Sequence, residues 1–196
     1  MAGTGGETRA RILDTAWELV RERGVGAVTV ADVAAASGVS RQLLYVHFEN
    51  RAGLLKAMAR RHDVRSGFAG RAAEARSLPP VAALERLLRL WFAYVPEILP
   101  VARALEAAAT NGDEGGVAWR DRMGDLRELF AAAVERVDQD GRLAEGWTVP
   151  SATDWVWARA QPATFQHLVV DRAWPADDYT ERAVHSILAE VVTPPA

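Results

Sequence analysis

"SGVSRQLLYVHFEN", residues 37–50, is the stretch whose reading decides the fold. Ser37-Gly38 is a turn signal, Ser40 is a helix-capping residue type, and Asn50 is the next one, so a short helix is expected between them. Leu44 and Phe48, four apart, would pin that helix to a core. Its first turn brings together a forked cation, an amide and an apolar side chain: Arg41, Gln42 and Leu43. Tyr45 lies four and three residues beyond Arg41 and Gln42 and therefore shares their face.

Upstream, Thr29 can cap a second short helix over about 30–37, with Asp32 in its electropositive first turn. Two short helices joined by a glycine-containing turn have helix-turn-helix proportions. In that motif the second helix enters the DNA major groove, and residues near its N-terminus meet base edges. Arg41 can fork onto guanine or pair with a phosphate, Gln42 can present its amide to adenine, and Leu43 can pack on a thymine methyl. Tyr45, His47, Thr29, Ser40 and Arg51 can reach phosphates. An ordinary helical hairpin with solvated polar residues has the same proportions, so the spacing alone does not decide.

Further out, Ile12, Ala16, Leu19 and Val20 form a helical stripe that stops at Gly24, and Asn50 can cap a helix carrying Leu54, Leu55 and Met58. Residues 9–55, "RARILDTAWELVRERGVGAVTVADVAAASGVSRQLLYVHFENRAGLL", resemble the DNA-binding domain of the tetracycline-repressor (TetR) family of bacterial transcription regulators. The resemblance rests on "RILDTAWEL", "ERG", "TV", "DVAAASGVS", "LY", "HF" and "LL", in order and without gaps. It implies a three-helix DNA-binding domain over 1–50, then a linking helix and a larger C-terminal helical domain over 51–196 that dimerises and binds a small effector. It also implies phosphate contacts at Thr29, Tyr45, His47 and Arg51, with Ser40, Arg41, Gln42 and Leu43 at base-facing or groove-edge positions. The chain departs from the usual pattern at Gln42-Leu43, Val46, Glu49 and Arg51, so the operator cannot be borrowed from a relative. Gln42 and Leu43 suggest an A·T step beneath the helix.

Past residue 62 the pattern stays helical and the expected class is all-α. Pro79-Pro80 opens a stripe of Val81, Leu84, Leu87, Leu88, Trp91 and Val95; Pro96 and Pro100 are expected to interrupt the segment up to Thr110. "NGDEGG" at 111–116 reads as a loop, and Trp119, Met123, Leu126, Phe130, Ala133 and Val137 as one long amphipathic helix. Two final helices are expected near 152–172 and 177–192, the first kinked at Pro162. Trp91, Tyr94, Trp119, Met123, Phe130 and Phe165 are candidates for a pocket suited to a lipophilic or aromatic effector, although such stripes more often form plain core. Trp155, Phe165, Val169, Tyr179, Ala183, Ile187 and Val191 are candidates for a dimer interface.

The 196 residues carry a net charge of −3, unevenly spread: residues 1–62 hold nine basic and six acidic side chains, the remainder fourteen and twenty. A mildly basic end on an acidic body suits a partner with phosphates at one end. With no cysteine, disulfides, thiolate metal sites and a Cys nucleophile are excluded. No metalloprotease, serine-hydrolase or phosphate-loop motif occurs, and neither an enzyme nor a bound cofactor or metal is expected. "MAGTGGET" lacks the features of a secretory signal, and "LWFAYVPEILPVA" at 90–102 is too short to span a membrane, so a cytoplasmic location is expected. The expected function is a homodimeric repressor that holds a palindromic operator and is released by an effector. The rival is an all-α lipophilic carrier or enzyme in which the N-terminal helices are only structural.

Overall fold

The computed structural model describes residues 3–194; the outermost ends of the two expected domains, residues 1–2 and 195–196, lie outside it. The described residues are all-α, without a strand, and hold one isolated antiparallel bridge between Leu143 and Val192. They fall into two compact units. One runs up to Ser66 and adds Pro100–Met123; the other is Gly67–Leu99 with the chain from Gly124 onward.

The first unit holds α1 (Gly3–Arg23), a 3-10 turn (Val25–Ala27), α2 (Val30–Ser37), α3 (Arg41–Phe48) and α4 (Arg51–Arg65). Their starts obey local chemistry. Thr29 and Asp32 form a capping box on α2, the Ser40 side chain accepts from the Leu43 N–H, and the Asn50 side chain accepts from the Gly53 N–H at 2.8 Å. Gly38 closes α2 at φ 66°, the left-handed conformation that glycine adopts without a Cβ clash. Ile12, Leu13, Val20, Val33, Leu44, Phe48 and Met58 form the core. Burying Leu44 and Phe48 stabilises α3 by about 2–3 kcal/mol each. α4 is bound to α1: Arg61 grips both oxygens of Asp14 at 2.8 Å, and the buried His62 ring stacks on Trp17 at 3.5 Å. Gly53 is sterically required, because a Cβ there would lie 2.3 Å from the Phe48 carbonyl oxygen.

The second unit holds α5 (Phe68–Ala75), α8 (Val149–Arg159), α9 (Pro162–Phe165), a π turn (Gln166–Val170) and α10 (Ala176–Val191). It also contains the first part of α6 (Pro80–Thr110) and most of α7 (Gly115–Gln139). Two expectations are corrected. Pro96 and Pro100 do not interrupt α6; both are exposed, on one face four residues apart, so their rings meet no packed neighbour there. Pro162 does more than kink the next helix. α8 ends at Arg159, and Pro162 opens a new turn, the position where its missing N–H costs nothing.

Candidate nucleic-acid interface

α3 has two unlike faces. Leu44 and Phe48 are 2% and 5% exposed, and the Arg9 guanidinium lies over the Phe48 ring at 5.1 Å, so the inner face is locked. Outward stand Arg41 and Gln42, with Leu43 36%, Tyr45 52% and Val46 73% exposed. Sequence reasoning passes over Val46 as a contact residue, yet its exposure makes it an apolar candidate for a base methyl. Ser40 accepts the Leu43 N–H at 3.2 Å through Oγ, which leaves its own proton for a phosphate. Thr29 is more committed. Its hydroxyl and backbone N–H both donate to Asp32, and these two bonds hold the Asp32 carboxyl below its usual pKa. His47 is half-buried, with its ring 5.9 Å from that of Phe48.

Arg51, expected at a phosphate, is instead engaged within the protein. Nε donates to the Val28 carbonyl at 3.2 Å, one terminal nitrogen donates to the Val25 carbonyl, and the other meets Asp113 Oδ1 at 2.8 Å. The fork is fixed because three acceptors surround it, and its side chain is only 17% exposed. Thr29, Arg41, Tyr45, Asn50 and Arg51 line one concavity of about 430 Å³, together with Asp113 and Glu114. Asp113 is the residue that sequence reasoning missed: it lies 62 positions from its partner and inside an expected loop, so no periodicity marks it. The Gly115 N–H and Arg51 together hold the Asp113 carboxyl below its usual pKa.

Residues 12–58 match the family described as bacterial regulatory proteins of the tetR family. This N-terminal segment is thus similar to the tetR-family module. The HTH-type transcriptional regulator TtgR of Pseudomonas putida is 34% identical over 83 residues, which is 42% of this chain and 40% of TtgR. The chain thus matches less than half the length of this relative. Solved structures share the fold over nearly the whole length. A TetR-family assignment from Rhodococcus sp. aligns with a TM-score of 0.76 at 22% identity, over 93% of this chain and 97% of its own. NalD, described as the secondary repressor of the MexAB-OprM multidrug efflux pump in Pseudomonas aeruginosa, gives 0.67 at 23%, over 98% and 99%.

Beyond this segment the candidate pocket residues are divided between the units. Trp119 and Met123 are buried in the first; Trp91, Tyr94, Phe130 and Phe165 are buried in the second. Trp91 Nε1 donates to the Ala160 carbonyl at 2.7 Å, and Tyr94 stacks on Phe68 at 4.7 Å. Among the candidate interface residues, Phe165, Tyr179, Ile187 and Val191 are buried within the chain itself, whereas Trp155, Val169 and Ala183 are half-exposed. The Tyr179 ring is held edge-on by Phe92 and Phe165, each at 5.4 Å. Its buried hydroxyl has no hydrogen-bond partner among the described residues, and desolvation pushes its pKa up to about 12. It borders a cavity of about 230 Å³ that Leu168, Trp174, Arg182 and Ala183 also line. Among the described residues no cluster suits a metal ion, and no helix is long and apolar enough to cross a membrane.

Proposed function

We propose that the chain is a DNA-binding transcription regulator, a homodimeric repressor that places α3 of each copy in the major groove of one half of a near-palindromic operator. One observation carries this reading. A short helix held from within by Leu44 and Phe48 presents Arg41, Gln42 and Tyr45 together to solvent, a combination that packing does not need. Ser40, Tyr45 and His47 supply phosphate contacts, which set salt-dependent affinity; Arg41, Gln42 and Leu43 read bases, with an A·T step under Gln42 and Leu43. We assign pairing of the copies to the stretch from α8 to α10, with Trp155, Val169 and Ala183 at the surface and Phe165, Tyr179, Ile187 and Val191 behind them.

The effector is a small lipophilic or aromatic compound bound in the helical body, and it lowers DNA affinity by re-orienting α4. SmeT, which shares the fold, was solved with triclosan. A coupling of about 1–3 kcal/mol is enough for a several-fold to hundred-fold loss of affinity.

The test is selection of binding sites from random duplexes at fixed salt, with the wild-type chain and with Arg41→Ala/Tyr45→Ala. A palindrome enriched only by the wild type is the expected result. No enrichment by either would sink the regulator reading and favour a lipophilic carrier, which would bind triclosan without choosing a DNA sequence.

A further inference from the structure

We infer that Asp113 competes with DNA phosphate for the Arg51 guanidinium, so that the loop between α6 and α7 sets the affinity of the DNA-binding face. The inference rests on the regulator reading.

The Arg51 side chain is located by neutral groups and neutralised by a single charged one. The Val25 and Val28 carbonyls hold two of its nitrogens against the turn between α1 and α2. Among the described residues only Asp113 brings it a negative charge, at 2.8 Å. That ion pair borders the concavity shared with Thr29, Arg41 and Tyr45, where a phosphate bound by the α3 side would lie. Asp113 is 36% exposed on its side chain, so a phosphate can replace its carboxylate at Arg51 without opening the core.

The carboxylate itself is firmly placed. Asp113 Oδ1 also accepts the Gly115 N–H at 2.8 Å, and the Asp113 N–H donates to the Ala108 carbonyl at 2.9 Å. Gly116 lets α7 start hard against α6, since a Cβ there would lie 2.5 Å from the Ala109 Cα. The loop therefore holds its acid at the edge of the DNA-binding face. Glu114, exposed and lining the same concavity, adds a like charge beside it. A guanidinium already paired with a carboxylate contributes little attraction to the DNA polyanion and releases few counterions on binding. Freed from that carboxylate, it would contribute both.

Asp113→Asn tests this cleanly, because the amide keeps an oxygen to accept the Gly115 N–H and removes only the charge. Binding to a labelled random duplex is measured over a range of salt for wild type, Asp113→Asn, Arg51→Gln and the double variant. Asp113→Asn is expected to bind several-fold more tightly at low salt, with a log–log salt slope steeper by about one per protomer. The gain should disappear in the Arg51→Gln background. An unchanged slope, or weaker binding by Asp113→Asn, overturns the inference and leaves Asp113 as a structural clip. A gain that persists without Arg51 also overturns it, since the effect would then be general charge removal. Should Arg51→Gln fail to fold, the slope of Asp113→Asn alone decides. A wild-type chain that binds no duplex at any salt removes the regulator reading and this inference with it; a wild type that binds while the slope stays fixed removes the inference alone.

Discussion

The N-terminal helices and the aromatic body are built by different means. Three successive helices, α2, α3 and α4, each begin with a side chain that caps the backbone three residues ahead: Thr29, Ser40 and Asn50. In the second unit α8 has such a cap at Thr148, but α9 and α10 start at Gln161 and Pro175 with no side-chain cap. Those helices are placed by burial instead. Phe165 and Tyr179, 3% exposed each, meet edge to face and tie the two elements together. Locally punctuated helices can leave one face free for a partner. Helices held by aromatic packing must turn their large side chains inward.

The largest effect expected from this contrast lies in the body. Trp91→Ala should destabilise it by about 4 kcal/mol, because it opens a cavity and strips the Ala160 carbonyl of its donor. Urea unfolding followed by circular dichroism measures this; a loss below about 1 kcal/mol would mean that the aromatic cluster does not hold the unit. Next comes the tight contact that local capping demands. Gly53→Ala would press a methyl against the Phe48 carbonyl and should cost about 3 kcal/mol, read as loss of hydrogen-exchange protection in α3 and α4. If protection survives, the α3–α4 corner is more pliant than its caps imply.

The smallest effect concerns acid. Arg61 holds the Asp14 carboxyl below its usual value, so the folded chain releases this proton more readily than the unfolded chain does. The stabilisation is complete above the unfolded value of 3.8 and fades as pH falls through the lower folded value. The thermal midpoint should therefore drop more steeply on acidification in the wild type than in Asp14→Asn. Parallel acid profiles would show that the α1–α4 ion pair contributes nothing measurable, as many exposed pairs do.

The N-terminal helices were legible because their signals are local. Caps, a glycine turn and the Leu44–Phe48 pair all act within four residues, so α2, α3 and the start of α4 could be located from spacing alone. The prolines of the body were read by the same local rule and misled. Pro96 and Pro100 stand exposed on one face of an unbroken helix, and that exposure is not written in the neighbouring residues. The π turn at Gln166–Val170 likewise carries no sequence signal that a four-residue period would reveal.

By itself, then, the sequence determined the helical class, the capped helix pair and the side chains offered on the first turns of α3, because each depends on residues in contact along one stretch of chain. Tertiary structure alone decided that α6 runs unbroken, that the aromatic side chains pack against one another, and that Arg51 faces Asp113. Those outcomes depend on which groups lose water and which charges meet across 62 positions of chain, and only the folded protein fixes that.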